Sequence, residues 1–391
     1  MTNGAARSRL LSPAFVMVFA ATLLYFVSVG ATIPVLPRFV SGPLHGSNAE
    51  VGLVLGIFSA TAVVLRPVAG RIGDRRGRRL LIVTGALLAA GAMTFYGRAG
   101  SVLPLVGLRL LNGAGEAFFF TGAATAVTDI APPQRRGEAL SLFSVALYLG
   151  LALGPLVGEA LLAASGFGVS FLVAASIGAA AAAVGLGVRD TRRGGEAPQG
   201  RLIHAAALLP GVVVATSIWG FAGFSSFVPL HALAIGLTGS GLLFGLFSLI
   251  VVAVRTVGAR IPDVLGARRT ASISLAISGA ALFAMSAWTS GLGLYVTTAL
   301  LGLGQSLAFP ALMSLAVAGV PASDRGAAVG TFTAFVDVAF GAGPLSLGIV
   351  AELSGYRGVF FASALVSVLG LAILRTRVRA PSREEQSRPA A

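Results

Sequence analysis

Long apolar runs follow one another along almost the whole of this 391-residue chain, each about twenty residues and each broken by a short polar turn. A helix needs ~20 apolar residues to cross the hydrocarbon core of a bilayer. Backbone amides inside lipid must be satisfied within their own segment, so such runs are required to be helical. The runs lie near 13–36, 49–70, 80–98, 102–127, 138–163, 167–188, 205–230, 241–260, 270–288, 292–318, 327–350 and 357–376. Only 11% of the residues are charged and the mean hydropathy is +0.90. A soluble domain carries about 25% charge, so lipid is the solvent for most of this surface.

Charge placement orients the runs. The net charge of +14 would point to nucleic acid in a soluble protein, but every one of the 28 basic residues is arginine, and they follow a topology instead. With the N-terminus assigned to the cytoplasm, 22 arginines fall in inside segments and 3 (Arg38, Arg98 and Arg357) outside; Arg66, Arg109 and Arg255 lie in or beside spans. Cytoplasmic loops carry the arginine excess, so both termini are expected in the cytoplasm of a cell whose inner membrane holds the chain. The start bearing Arg7 and Arg9 runs straight into the first apolar stretch, as an uncleaved first span does rather than a removed signal. Cysteine is absent and histidine occurs three times, so neither a thiolate nor a histidine-rich metal centre is expected.

The chain is also a repeat. Displaced by 189 positions, its second half falls on the first without a gap from Gly52 onward: Gly52 and Gly56 meet Gly241 and Gly245, Arg66 meets Arg255, Arg71 meets Arg260, and Asp74 meets Asp263. Arg136-Gly137 likewise meets Arg325-Gly326, and Gly154-Pro155 meets Gly343-Pro344. Six spans per copy is an even number, so the copies share one orientation and are related by an axis along the membrane normal. The expected organisation is a six-helix bundle over 1–188, a cytoplasmic linker over 189–201, a second bundle over 202–378 and a disordered tail over 379–391.

Four elements carry chemistry. The loop after the second run reads Gly70-Arg-Ile-Gly-Asp74-Arg75-Arg-Gly77-Arg78-Arg79, with glycine at 77 suited to a positive-φ turn. The fourth run carries Arg109, Asn112 and Glu116, with the arginine and the acid two helical turns apart on one stripe. The fifth carries Gly150-x-x-x-Gly154-Pro155-x-x-Gly158 followed by Glu159, a close-packing pattern for membrane helices whose terminal acid is a candidate partner for Arg109. Asp337 stands halfway along the eleventh run, where a carboxylate costs ~2.5–3.5 kcal/mol. Its counterpart 189 positions earlier is Tyr148, so the repeat does not demand an acid there.

The first of these elements resembles the signature G-x-x-x-D-R-x-G-R-R of the major facilitator superfamily, and the second half keeps a degraded copy from Arg260 to Arg268. The fourth run is similar to that family's R-x-x-Q-G-x-G element with Asn112 for glutamine, and the fifth to its antiporter motif with Glu159 for the last glycine. The resemblance implies an all-α membrane protein of twelve transmembrane helices in two bundles, secreting a small amphiphilic drug or metabolite against inward proton flow by alternating access. It implies a conformational latch of Gly70, Asp74, Arg75, Gly77, Arg78, Arg79 and Asp129, and proton coupling through Arg109, Glu116, Asp337 and Glu159. A substrate cavity would be lined by Tyr25, Asn112, Trp219, Phe224 and Gln305. No cofactor, metal, ATP or nucleic acid is implied, and the expected unit is a monomer in the bilayer. The alternatives are proton-linked uptake of a sugar or metabolite and a sensor that transports nothing. An enzyme is disfavoured, because no nucleophile–base or metal constellation is present.

Overall fold

The computed structural model describes residues 12–132, 135–190, 203–258, 261–321 and 324–378, and among them it is helical with no strand. The expected linker from 191 onward and the expected tail lie outside the described residues. The helices are α1 (Pro13–Thr32), α2 (Val35–Ser41), α3 (Asn48–Arg76), α4 (Arg78–Tyr96), α5 (Val102–Ile130), α6 (Arg136–Leu186), α7 (Leu208–Ala234), α8 (Gly241–Val257), α9 (Ile261–Leu265), α10 (Ala267–Ala287), α11 (Gly291–Val317) and α12 (Arg325–Arg377).

Local chemistry sets these boundaries. Ser12 caps α1 by accepting from the Phe15 N–H at 3.2 Å, and Ser290 caps α11 through Gly293 at 3.1 Å. A reciprocal capping box opens α3: Ser47 Oγ accepts from the Glu50 N–H while Glu50 Oε2 accepts from the Ser47 N–H. The first apolar run, expected as one span to 36, turns at Ile33–Pro34 and resumes as α2 to Ser41. Pro34 has no N–H to extend the ladder, which divides the run there.

Two helices are too long for a single crossing. At 1.5 Å per residue, α6 and α12 would extend ~76 and ~80 Å, against ~30 Å of hydrocarbon. Each breaks at one glycine of positive φ, Gly166 at 75° and Gly355 at 71°, with a span-length arm on either side. Nine helical stretches among the described residues have the length and hydropathy of a membrane crossing, and α8 is a shorter apolar helix. Counted arm by arm, they follow the order of the apolar runs in the sequence.

The repeat is carried into the backbone. Helices α4 and α10, α5 and α11, and α6 and α12 begin 189 residues apart, and so do the breaks at Gly166 and Gly355 and the positive-φ turns at Gly77 and Gly266. Packing repeats as well. Within the first half α1 lies on α6, α4 on α5 and α3 on α5; within the second, α7 lies on α12, α10 on α11 and α8 on α11. Between the halves α3 meets α12 and α6 meets α8, which exchange under the repeat.

Glycine governs the closest approaches. A Cβ at Gly158 would stand 2.0 Å from the Ala31 carbonyl oxygen, and one at Gly154 2.6 Å from the Gly30 Cα, so α1 and α6 touch backbone to backbone along Gly150–Gly158. Across the halves, a Cβ at Gly52 would meet the Pro344 carbonyl oxygen at 2.2 Å and one at Gly56 the Gly341 carbonyl oxygen at 2.3 Å. Both lie in the part of α3 nearest the arginine-poor side of the molecule.

Candidate functional site

Two ionic sites join the halves. The first is at the arginine-poor end. Glu159, on α6, accepts from Arg38 Nη1 at 2.9 Å within its own half, and its other oxygen accepts from the Ser240 N–H at 2.8 Å and the Ser240 hydroxyl at 2.7 Å. Ser240 is the residue before α8, so a carboxylate of the first half sits at the positive end of a helix of the second. The mirror arrangement uses Glu352 of α12, whose Oε2 accepts from the Asn48 N–H at 2.9 Å in the first turn of α3. Tyr356 adds a hydrogen bond to Asn48 Oδ1 at 3.2 Å. Each carboxylate thus ties the two halves together at the arginine-poor face, reaching from its own half to a helix start of the other.

The second site lies deeper. Arg66 of α3 and Asp337 of α12 form an ion pair between the halves, with 24% and 14% of their side chains exposed. The guanidinium also rests on Phe120, 5.0 Å from its ring centroid. Glu116 lies near both charges and beside Tyr25. It is buried with no well-aligned hydrogen bond to its Oε2, and Tyr25, stacked on Phe119 at 3.9 Å, has its hydroxyl in the same position. A buried carboxylate without a full set of donors is costly unless it binds a proton or meets a mobile cation.

This placement corrects several expectations. Arg109 is buried inside the first half: its Nε donates to the Val54 carbonyl at 2.9 Å, one Nη donates to Asn112 Oδ1 at 3.2 Å, and the guanidinium lies 4.7 Å from the Phe58 centroid. No hydrogen bond or ion pair joins it to Glu116 or Glu159. One helical face is shared, but the arginine turns toward α3 and α4 while the acid turns toward α1. Glu159 is a clamp of the arginine-poor face and does not belong to the deeper cluster. Asn112 serves Arg109 and Ala89 rather than a cavity. Gln305 is satisfied within the second half, accepting from the Ser217 hydroxyl at 3.1 Å and donating to the Ser217 carbonyl at 3.0 Å. Phe224 is fully buried among Phe221, Phe244 and Phe247. Trp219 is half-buried against Gly343, and of the expected cavity residues it keeps the most open side chain.

The loop between α3 and α4 gathers a third set of charges. Arg78 Nη1 pairs with Asp74 at 2.7 Å and its Nε with Asp129 at 3.2 Å. Gly77 stands at φ 99°, and the backbone N–H of Arg78 donates to Asp190 Oδ1 at 3.0 Å. A side chain at 77 would strike that carboxylate, its Cβ 2.0 Å away. Asp190 falls inside the expected linker of 189–201 and is absent from the expected latch. Asp74 stands among arginines, and Arg189-Asp190-Thr-Arg-Arg shows the same pattern in the sequence. Arg75 and Arg79 are exposed, and Gly70 has open space around it.

The sequence model of the Major Facilitator Superfamily matches residues 18–263 and again 208–391. The chain belongs to the major facilitator superfamily. It is a multi-pass membrane transporter and not an enzyme. An uncharacterised transporter of this superfamily from Salmonella typhimurium is 30% identical over 375 residues, spanning 92% of this chain and 95% of that one. A second, from Methanocaldococcus jannaschii, is 23% identical over 368 residues, 90% of this chain and 95% of its own. Among solved structures, a bacterial homologue of the human lysosomal transporter Spinster, inward-facing and occupied, superposes with a TM-score of 0.78 at 17% identity over 94% of this chain and 98% of that one. The contacts between α3 and α12 and between α6 and α8 are the ones that join the two repeats of this chain.

Proposed function

We propose that this transporter is a proton-coupled exporter of a small amphiphilic molecule, in which Asp337, with Glu116 beside it, is the proton-responsive group. The observation that carries the reading is the ion pair of Arg66 with Asp337, a titratable contact between the two halves inside the apolar layer. Protonating Asp337 removes one of the two charges and with it the attraction that holds α3 to α12 at that depth. The pair accompanies halves tied together at the arginine-poor face, so its loss favours their separation there. A ligand, proton or substrate shifts such an equilibrium only through its differential affinity for the two states. If proton and substrate exclude one another at this contact, each loaded form crosses and releases its ligand on the far side, the proton inside and the substrate outside, which is exchange.

Each of the other charge sets has a place in this cycle. Glu159 and Glu352 tie the halves together at the arginine-poor face, and the Asp74–Arg78–Asp129 relay with Asp190 steadies the loop between α3 and α4 on the arginine-rich side. We place the arginine-rich side in the cytoplasm of a bacterial inner membrane, with twelve crossings and both termini inside, because the arginine excess requires it.

Cells overproducing the protein should survive toxic amphiphiles better than controls, and a protonophore should remove the advantage. Asp74→Asn should lower that resistance about tenfold while membrane levels of the protein stay unchanged, since the side chain keeps its size and loses only its charge on Arg78. Heightened sensitivity on overproduction would reverse the direction of transport to uptake. Unchanged resistance with wild type, or full activity of Asp74→Asn, would remove export or the latch respectively.

A further inference from the structure

The repeat places Arg255 of α8 where Arg66 stands in α3, and Tyr148 of α6 where Asp337 stands in α12. The structure builds the same contact between halves from both pairs. On one side it is an ion pair, Arg66 with Asp337. On the other, Arg255 Nη2 donates to the Tyr148 hydroxyl at 3.2 Å, Arg255 Nε donates to the Ser306 carbonyl at 3.0 Å, and the guanidinium lies 4.0 Å from the Tyr148 ring centroid. Internal symmetry puts a carboxylate opposite one arginine and a phenol opposite the other. Among the described residues Arg255 has no acid in salt-bridge contact. It is half-buried at the seam of the two halves, and its second terminal nitrogen, Nη1, makes no hydrogen bond.

A guanidinium inside an apolar span is costly unless an anion or a set of acceptors meets it. Here two neutral oxygens and a ring meet it, and the counter-charge supplied at the sister site is missing. The unsatisfied groups are also of the right kind. Tyr148 accepts from Arg255, which leaves its own O–H free to donate, and Arg255 Nη1 is a second free donor beside it. A guanidinium and a phenol side by side, each with a donor to spare, suit a carboxylate, which takes several short charge-assisted hydrogen bonds. We infer that Arg255, braced on Tyr148, receives a carboxylate of the transported molecule, so that the substrate is an amphiphilic organic acid. The inference rests on the transport reading above and names the substrate class of that same seam.

The test compares acids with their uncharged amides on the full chain in lipid nanodiscs, with empty nanodiscs as baseline. The probes are pyrenebutyrate against pyrenebutyramide and decanoate against decanamide, the latter pair competing with the fluorescent one. Wild type should bind each acid about tenfold tighter than its amide, the scale of one charge-assisted hydrogen bond. Arg255→Gln should reduce that ratio to below about twofold, and Arg255→Lys should restore part of it, the charge being kept without the planar fork. Arg357→Gln, which removes a guanidinium that meets the Ser286 carbonyl at the arginine-poor end of the second half, should leave the ratio intact. Binding of neither acid, no preference in wild type, or a preference retained in Arg255→Gln would each overturn the inference. Proton coupling is judged separately: uphill transport surviving in Asp337→Asn would sink that reading whatever the binding ratio shows.

Discussion

Replacing Asp337 by asparagine should abolish proton-driven accumulation of substrate while leaving exchange down a gradient in place. Asparagine keeps the size of the side chain and can still accept a hydrogen bond from Arg66, but it neither carries charge nor releases a proton. The contact between α3 and α12 then no longer distinguishes the protonated from the deprotonated transporter. Measured as flux into proteoliposomes with and without an imposed pH gradient, the gradient-dependent part should fall at least about tenfold, since every 1.4 kcal/mol of lost coupling is a factor of ten. Glu116→Gln should weaken the pH dependence as well, because Glu116 lies near the same two charges. Full uphill pumping by both variants would place the proton site elsewhere. Arg66→Ala is the complementary change, and it should impair both modes, because it leaves Asp337 as an uncompensated carboxylate inside the apolar layer.

The largest effect on the folded protein is expected from Gly158→Val. The added carbons meet the Ala31 carbonyl oxygen, a backbone atom of a helix that cannot step aside, and overpacking of this kind costs about 3 kcal/mol or more. Detergent-solubilised Gly158→Val should therefore unfold well below wild type in a thermal scan. Gly91→Ala, whose added carbon has open space around it, should be neutral and serves as the control. Equal behaviour of the two would mean that α1 and α6 do not meet as closely as described. This view of the glycine motif is one of packing. It holds α6 against α1, and α6 in turn presents Glu159 and Tyr148 to the second half.

Much of the architecture was legible before the structure. Matches of arginine, aspartate, glycine and proline at one displacement do not arise from apolar composition, and the starts of α4, α5 and α6 and the positive-φ glycines Gly77 and Gly166 recur at the same displacement. Side-chain placement was far less legible. In a soluble protein the polar face of a helix tells which way it points, but helices that are apolar all round carry no such signal. That is why Phe224 and Gln305 could be expected in a cavity when one fills an aromatic cluster and the other is tied to Ser217. It is also why Arg109 and Glu116 can share one stripe of α5 and still face different neighbours, the arginine Val54 and Tyr96 and the acid Tyr25.

The deeper ion pair was nonetheless written in the sequence. Arg66 repeats as Arg255, and Asp337 stands where the other half has Tyr148. Taken together, these correspondences place one arginine opposite an acid and its copy opposite a phenol, provided α3 crosses α12 as α8 crosses α6. Only that crossing was missing, and it depends on Gly52, Gly56 and Gly341 allowing two backbones to touch. Glu352 carried no comparable mark. It lies near the end of an arm, where an acid is ordinary, and its role follows from the helix start it reaches in the other half.

The chain contains no cysteine, so pairs of introduced cysteines can be spin-labelled without prior substitution. Leu103 and Leu292 are exposed, 189 residues apart, at the arginine-poor ends of α5 and α11; Leu140 and Val329 are exposed, also 189 apart, in the second turns of α6 and α12 on the arginine-rich side. The most direct test of the account is the distance between labels on Leu103→Cys/Leu292→Cys and on Leu140→Cys/Val329→Cys, in nanodiscs, in alkaline and in acidic buffer. Acidification should lengthen the first distance and shorten the second as Asp337 takes a proton and the halves rock, and Asp337→Asn should hold the acidic distribution at both pH values. Distances that do not change, or that change in the same direction at both ends, would contradict alternating access driven by this ion pair.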